Sequence, residues 1–291
     1  MRTREIISAK NTSESQNMKN LIYQYLVLND KVNNRGNVGD KNRIELYKEI
    51  ANVSRMSFEK YAEYHGFKYE FCEEPYITKE SDDHNALFFE CLRVIYDESY
   101  DQYDKILFLD CDVVCNSYED IFSVSDAEVY GVYESDIVTE SKGGYNVWDF
   151  HKKDFLEHAE KWEAHGCPIV PVISKTNRPS RIAILNTGVI VWTRQARIKA
   201  RECFDDWREW LYGEPKKSLP VMLDQPWINA QLMKYDFDVE GIGQTWNDTP
   251  THYKNPENKF RSNFLHYTGG NGKTLMLEDY AAGNFKILEN L

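Results

Sequence analysis

The first 110 residues alternate between short apolar segments and longer segments of helical periodicity, and this alternation restricts the fold more than any other feature of the chain. The predicted strands are residues 21–29, 67–71 and 106–109, and the predicted helices are residues 40–66 and 84–96. Gly66 is a natural stop for the first of these helices. A strand–helix–strand–helix–strand order predicts an α/β fold with a mostly parallel sheet flanked by helices.

The rest of the chain continues in the same way. "AEVYGVY" and "RIAILNTGVIVW" are typical of strands, and "RQARIKARECFDDWREWLY" and "LDQPWINAQLMKY" are typical of helices. No internal repeat or low-complexity linker divides the 291 residues, of which 42% are hydrophobic. The sequence therefore predicts a polar N-terminal arm over residues 1–19 and one domain over residues 20–291, ending in a C-terminal extension.

Charge, hydropathy and cysteine spacing narrow the functional classes. No segment approaches the roughly 20 apolar residues of a membrane span, and no signal-peptide pattern follows the N-terminal charges, so a soluble cytoplasmic protein is expected. The net charge of −12 disfavours non-specific binding to nucleic acid or to anionic membranes. Six cysteines without a CxxC pair indicate reduced thiols, and a zinc site at the C-x3-C of Cys111 and Cys115 is disfavoured.

The apolar segment "KILFL" ends in two aspartates, Asp110 and Asp112, separated by one residue. Ligands of parallel sheets bind beyond the carboxyl ends of the strands, so these carboxylates are expected to face a site, with Cys111 pointing away from their cation. Carboxylate oxygens suit Mg²⁺ or Mn²⁺, ions that commonly bridge a protein to substrate phosphates. Replacing either aspartate by Asn is expected to leave metal-free thermal stability nearly unchanged, because it only removes repulsion between neighbouring carboxylates.

The C-terminal segment "FLHYTGGNGK" offers complementary chemistry. His266 can complete a carboxylate-rich Mn²⁺ shell, Gly269 and its neighbour allow close backbone approach to a diphosphate, and Lys273 supplies a positive charge for it. Each residue alone has an ordinary explanation in a core or a turn. Their occurrence together in one short segment favours a phosphate and metal site.

The chain resembles the nucleotide-sugar glycosyltransferases of the GT-A fold, in particular the retaining glycogenin-like and bacterial lipooligosaccharide galactosyltransferase group. The resemblance covers about residues 21–275 and is carried, in the order of that group, by "FLDCD", "LNTGVIVW", "LDQPWIN" and "HYTGGNGK". It implies a GT-A (Rossmann-like) sheet and a metal-dependent hexosyl- or pentosyltransferase with a UDP-sugar as the favoured donor.

The resemblance also implies roles for individual residues. It implies Mn²⁺ (or Mg²⁺) bound by Asp110, Asp112 and His266. The residues implied to contact the donor nucleotide and diphosphate are Val27, Asn29, Arg93, Asp110, Cys111, Asp112, Gly269 and Lys273. Those implied to lie by the anomeric carbon and the donor hydroxyls are Asp224, Gln225 and Asn186.

The sequence departs from the group near its end. Gly272 is an extra residue between Gly269 and Lys273, and Thr274-Leu275 replaces the usual proline-tryptophan. The segment "YHGFKYEF" is similar instead to the fungal and plant α-galactosyl- and xylosyltransferases of the same fold.

Several alternatives stay open at the level of sequence. A sugar-phosphate nucleotidyltransferase shares the sheet and the metal carboxylates, although "NDKVNNRGNVGD" lacks its G-x-G-T pattern, and a non-catalytic glycan-binding protein is a second alternative. The acceptor can be a glycan, a lipid-linked saccharide, a protein or a nucleic-acid base, the last disfavoured by the acidic charge.

Trp148, Trp227 and Trp246 are candidates for stacking on sugar rings, although core packing is the commoner role. Residues 136–154 are long enough for a lid or acceptor loop.

Overall fold

The computed structural model describes residues 18–28, 37–38, 41–79, 81, 83–136, 138–139, 145–146, 164, 184–214, 223–253 and 259–289. Its strands are β1 (Asn20–Tyr25), β2 (Asn37–Val38), β3 (Lys41–Asn42), β4 (Lys68–Cys72), β5 (Lys105–Leu109), β6 (Val113–Cys115), β7 (Val129–Tyr133), β8 (Val138–Thr139), β9 (Tyr145–Asn146), β10 (Leu185–Thr193), β11 (Val239–Gly241) and β12 (Phe264–His266). Its α-helices are α1 (Arg43–His65), α2 (Arg93–Tyr96), α3 (Arg194–Cys203), α4 (Trp207–Tyr212), α5 (Asp224–Lys234) and α6 (Gly269–Ala281). The predicted N-terminal arm up to residue 17, and most of the predicted lid, lie outside these residues.

The central sheet has six strands in the order β11-β7-β10-β5-β1-β4. β1 is parallel to β4 and β5, and β11 is parallel to β7, whereas β10 is antiparallel to both of its neighbours. The predicted mostly parallel α/β sheet is confirmed. Because β10 alone runs backwards, its first residues lie at the same edge as the carboxyl ends of the parallel strands.

Side chains alternate along the strands and supply a hydrophobic core on each face of the sheet. Ile106 and Phe108 face a core formed with the 3₁₀ helix His84–Leu92 and helices α2 to α5. Leu107 and Leu109 face a second core formed with α1 and α6. Helices therefore cover both faces, which explains why β5 reads as an unbroken apolar run.

Two helical segments differ from their predicted form. Residues 84–96, predicted as one helix, form a 3₁₀ helix followed by the short α2. Residues 194–212, also predicted as one helix, divide into α3 and α4, because the Asp206 side chain accepts from the Arg208 N–H and begins a new helix. The stop at Gly66 is confirmed: Gly66 has φ +72°, and the Phe67 N–H donates to the Ala62 carbonyl at 2.9 Å.

Two of the tryptophans proposed for sugar stacking belong to the cores. Trp227 is fully buried against Phe89 and Phe204. Trp246 is buried against Phe264. Neither ring is available to a sugar, and Trp148 lies outside the described residues.

Candidate active site

The site begins where β5 ends and β10 starts. The Asp110 N–H donates to the Gly188 carbonyl at 2.9 Å, which extends the pairing of Leu109 with Val189 by one residue. The register of β10 against β7 shifts between Asn186 and Ile190. Such a bulge turns backbone and side chains out of the regular ladder, and here Gly188 approaches Asp110 while Thr187 contacts Asp224.

Asp110 and Asp112 lie in a tight turn rather than in extended backbone. The turn is closed by the Val113 N–H, which donates to the Asp110 carbonyl at 3.2 Å. Cys111, the middle residue of this turn, also lines the cavity described below. The expected direction of its side chain, away from a cation, stays a prediction. The Asp110 side chain is 45% exposed, whereas that of Asp112 is only 9% exposed.

His266 reaches the aspartates through a two-stranded sheet. β12 pairs antiparallel with β6, and this places His266 opposite Val113. Its Nε2 lies 3.2 Å from Asp112 Oδ1 and 3.7 Å from Asp110 Oδ2. One ligand atom from each of Asp110, Asp112 and His266 lies within 4.8 Å of the other two, a spacing that can hold one metal ion. Two carboxylates and an imidazole fit Mn²⁺ better than a soft, thiolate-binding ion.

Lys273, in the first turns of α6, places a positive charge beside Asp112. Gly269 begins this helix with φ +73°, and Gly272 packs so closely on Tyr267 that a Cβ there would lie 2.6 Å from the Tyr267 carbonyl oxygen. The additional Gly272 lies within the continuous helix, where its lack of a side chain permits this contact. The Lys273 ammonium donates a hydrogen bond to Asp112 Oδ2 and lies 5.7 Å from the centre of the Tyr47 ring.

The protonation of these groups is mutually dependent. Burial and the neighbouring Asp112 carboxylate raise the pKa of Asp110 to about 6. Burial also opposes ionisation of Asp112, but Lys273 and His266 outweigh it and hold the pKa of that carboxyl below its usual range. The same carboxylate raises the pKa of His266 and of Lys273 against the effect of their burial. Asp112 is therefore the permanent anion of the cluster.

Asp224 and Gln225 stand at the start of α5 and contact the bulge of β10. Asp224 Oδ2 accepts from Thr187 Oγ at 3.2 Å and from the Cys91 thiol at 3.9 Å. Burial, followed by the charge of Asp110, raises the pKa of Asp224 to about 7. Gln225 Oε1 accepts from the Thr187 N–H at 3.2 Å. The structure thus joins these two predicted residues to the strand that carries Asn186.

Glu134, which follows β7, connects the predicted amides. Its Oε1 accepts from Asn186 Nδ2 at 2.8 Å and from Gln225 Nε2 at 3.1 Å. Asn247 joins the same network, since its Nδ2 donates to Asn186 Oδ1 at 2.8 Å and its Oδ1 lies 2.9 Å from His266 Nδ1. Sequence reasoning identified neither residue. The nearest local signal was Trp246, a candidate for sugar stacking, which directly precedes Asn247.

A cavity of about 410 Å³ lies between these groups. Its lining includes Tyr25, Leu26, Val27, Leu28, Tyr47, His84, Leu87, Phe88, Asp110, Cys111, Asp112, Thr187, Asp224, Gln225 and Lys273. Apolar and aromatic groups therefore form one part of the wall, and the charged cluster forms another. A small molecule with an aromatic portion and an anionic portion matches this distribution.

Three of the residues predicted to contact the donor are not among the described residues that line the cavity. Asn29 lies outside the described residues. Arg93 is not among the described residues that line the cavity, because its guanidinium pairs with Asp97 at 3.5 Å and lies over Tyr76 and Tyr100. Gly269 is the first residue of α6 and does not line the cavity. The donor roles of these residues stay predictions.

The cysteines in the described part of the chain form no disulfide. Cys72, Cys91, Cys111, Cys115 and Cys203 are free thiols. Within the described part of the chain, the aspartate pair with His266 is the one cluster of histidine, cysteine and carboxylate groups close enough to hold a metal. No described helix combines the length and apolar character needed to cross a membrane.

A family profile and solved structures of low sequence identity are similar to this chain. The profile of glycosyl transferase family 8 matches residues 12–274. A glycosyltransferase involved in the glycosylation of the major capsid of PBCV-1 is 15% identical with a TM-score of 0.51, over 89% of this chain and 99% of that one. The galactosyltransferase LgtC, solved with donor and acceptor sugar analogues, is 15% identical with a TM-score of 0.44, over 93% of this chain and 98% of that one. No curated protein matches the chain by sequence.

Proposed function

Since the chain belongs to glycosyl transferase family 8 and is a glycosyltransferase, we propose that it moves a sugar from a nucleotide-diphosphate sugar, favouring a UDP-sugar, to an acceptor hydroxyl. One observation carries this proposal. Asp110 and Asp112, whose carboxylates lie within 4.8 Å of a ring nitrogen of the buried His266, share the wall of a cavity of about 410 Å³ with Lys273. This combination suits a substrate whose anionic part is a diphosphate.

Asp110, Asp112 and His266 are the residues that would hold Mn²⁺ (or Mg²⁺). Their mixed oxygen and nitrogen donors and their spacing support this assignment. A bound divalent ion supplies neutralisation of the negative charge that grows on the departing diphosphate. Asp112, with its low pKa, stays ionised under all physiological conditions and provides the constant part of the ligand set.

Lys273 is proposed to bind the same diphosphate. Its side chain is only 14% exposed, and its pKa is raised by Asp112, so the ammonium is charged and poorly solvated. A charge in such surroundings interacts strongly with an anionic leaving group and needs no rearrangement as the bond breaks. Lys273 would then exchange part of its contact with Asp112 for contact with the donor.

The remaining lining residues suit the nucleoside and the sugar. Val27, at the end of the first strand, and the ring of Tyr47 offer an apolar surface for a base. Asp224 and Gln225, which also line the cavity and are held by Thr187, offer a carboxyl and an amide to sugar hydroxyls. Asn186 stabilises this wall through Glu134. We propose transfer with retention at the anomeric carbon, with a glycan or another hydroxyl compound as acceptor.

The test is a donor-hydrolysis screen. The protein is incubated with UDP- and GDP-sugars and Mn²⁺, and free nucleoside diphosphate is measured with and without excess chelator. We expect diphosphate release from one donor class, lost in chelator. Full turnover in chelator would overturn the metal assignment, and release of pyrophosphate from a nucleoside triphosphate plus a sugar phosphate would indicate a nucleotidyltransferase. Proton NMR of the transferred sugar's anomeric coupling then decides between retention and inversion.

A further inference from the structure

Asn247 is fully buried behind the metal cluster. It does not line the cavity, yet its amide bridges two residues of the site: Nδ2 lies 2.8 Å from Asn186 Oδ1 and Oδ1 lies 2.9 Å from His266 Nδ1. The side-chain amide of a buried asparagine has two N–H donors and one oxygen acceptor that need partners. The groups around it therefore determine the direction of each of these hydrogen bonds.

The backbone fixes the first direction. The Gly188 N–H can only donate, and it points at Asn186 Oδ1 at 3.1 Å, so this atom of Asn186 is an oxygen. The other end of the same amide faces Glu134 Oε1 at 2.8 Å, which accepts from the Asn186 NH₂ group. A flipped Asn186 would set a donor against a donor at one end and an acceptor against a carboxylate at the other.

The second direction follows from the first. Because Asn186 presents an oxygen to Asn247, the Asn247 group that faces it is the NH₂. Asn247 must then present its own oxygen to His266 Nδ1, so the proton of that bond resides on Nδ1. The lone pair of Nε2 is left directed at Asp110 and Asp112.

We propose that Asn247 is a positioning residue that holds His266 in the Nδ1–H tautomer and thereby keeps Nε2 available as a metal ligand. The inference rests on the metal site proposed above. A partner that accepts from the second ring nitrogen is the usual means of fixing a metal-binding histidine. Here that partner is an amide whose own orientation is traced back, through Asn186, to one backbone N–H and one carboxylate.

Asp112 makes the role of Asn247 testable. Its Oδ1 lies 3.2 Å from Nε2 and favours a proton on that nitrogen, which is the opposite tautomer. Two groups therefore compete for the single proton of the neutral ring. Without the Asn247 acceptor, the proton is expected to move to Nε2 and to block the position that a metal needs.

The direct test is ¹⁵N NMR of histidine-labelled, metal-free protein, at a pH above which the His266 signals no longer change. In the wild type we expect the shift of a protonated Nδ1 and an unprotonated Nε2. In Asn247→Ala we expect the reverse. A wild-type His266 that carries its proton on Nε2 overturns the proposal without recourse to any variant.

Calorimetry with Mn²⁺ alone supplies the second readout. Asn247→Ala is expected to weaken Mn²⁺ binding about 10- to 100-fold. Asn116→Ala is the matched control, because Asn116 is about as buried and, among the described residues, its side-chain amide donates to the carbonyls of Phe260 and Ser262 and accepts from the Lys286 N–H. It should bind Mn²⁺ like the wild type. Equal losses in both variants would mean that Asn247 is merely structural and would overturn the proposal.

Asn247→Asp provides a rescue, since a carboxylate also accepts from Nδ1. We expect it to keep the Nδ1–H tautomer and to bind Mn²⁺ more tightly than Asn247→Ala. A tautomer like that of Asn247→Ala would contradict the proposal. These results are separable from the fate of the metal assignment: a wild-type Nδ1–H tautomer without any Mn²⁺ binding would disprove the proposed metal centre, whereas tight Mn²⁺ binding with an Nε2–H tautomer would disprove the role of Asn247.

Discussion

At the scale of single residues, Gly188 shows how little space the site allows. A Cβ at this position would lie 2.3 Å from His266 Cε1 and 2.9 Å from Asp110 Oδ2. Both contacts are far inside van der Waals distance, so any side chain must displace two of the three proposed metal ligands. The glycine of the Asn-x-Gly segment is therefore required by the side chains that converge on it.

Gly188→Ala is accordingly expected to lower kcat/KM about 10²-fold or more, because the ligands lose the geometry that a metal needs. Steady-state kinetics and Mn²⁺ calorimetry measure the effect. Gly283→Ala is the control: Gly283 has φ +72° and open space around its Cβ position, so alanine there costs about 1 kcal/mol of stability without reaching the site. Equal activity of Gly188→Ala and the wild type would show that the site has more room than these distances indicate.

Asp224 predicts a pH dependence of stability. The pKa of Asp224 is about 7 in the folded protein, above its value in the unfolded chain. The folded protein therefore holds this proton more tightly, and the free energy of unfolding falls as the pH rises from about 4 towards 7. Asp224→Asn removes the ionisation. Its thermal midpoint without metal should exceed that of the wild type by several degrees at pH 8, and the gain should shrink towards pH 4.

Asp205 serves as a control of opposite sign. Burial opposes its ionisation, but hydrogen bonds from Lys234, Tyr235 and Gln231 prevail and lower its pKa, so its contribution is present above about pH 4 and disappears below. Asp205→Asn should therefore destabilise the protein at pH 8. If Asp224→Asn shifted the midpoint in the same direction as Asp205→Asn, the raised pKa of Asp224 would be refuted.

At the scale of secondary-structure elements, the position of α6 favours Lys273 over Arg93 as the cation that would meet the diphosphate of the proposed donor. Lys273 lies in its first turns and contacts Asp112, whereas Arg93 on α2 is engaged by Asp97. Lys273→Ala should lower kcat/KM about 10²-fold at saturating Mn²⁺ with varied donor, and Arg93→Ala much less. A silent Lys273→Ala with an inactive Arg93→Ala would reverse the assignment.

Local patterns predicted the elements well where one rule dominated. The apolar run before Asp110 and the stop at Gly66 were legible, because strand burial and a positive φ leave clear marks on sequence. The division into α3 and α4 was missed, because helical periodicity continues through Phe204 although Asp206 starts a new helix. A capping residue inside a periodic segment outweighs the periodicity.

The same distinction separates the site residues that the sequence predicted from those that it missed. Asp110 and His266 were predicted because each lies in a short segment where several residues with metal- or phosphate-binding chemistry occur together. Glu134 and Asn247 were not, because their importance lies in hydrogen bonds to residues distant in sequence, such as the bond between Asn247 and Asn186. Single-sequence patterns carry no information about such pairs.

At the scale of the whole molecule, the two aspartates differ in what they contribute to stability. The sequence suggested that either could be replaced without harm, but Asp112 is paired with Lys273 and His266, whereas Asp110 has a raised pKa. Without metal at pH 8, Asp112→Asn should cost about 3 kcal/mol, because it leaves a buried ammonium without its anion. Asp110→Asn should match or exceed the wild-type thermal midpoint, because it removes charge repulsion.

Metal should place the wild type above Asp110→Asn, while Asp112→Asn stays the least stable of the three. Mn²⁺ at 100 times its dissociation constant stabilises the wild type by about 2.7 kcal/mol, and both variants should lose most of this gain. Thermal scans with and without Mn²⁺ measure both effects. An Asp112→Asn protein as stable as the wild type without metal would remove the structural role assigned to that carboxylate.

The ion pair between Lys273 and Asp112 joins residues that are 161 positions apart in the sequence. Closing so long a loop has a high entropic cost and is slow, so contacts of this kind form after the local ones. During synthesis, Asp110 and Asp112 leave the ribosome long before His266 and Lys273, and the early chain has neither the imidazole ligand nor the cation. Under the proposed roles of His266 and Lys273, a nascent or truncated chain therefore has no competent site, and catalytic competence itself reports that the C-terminal segment has docked.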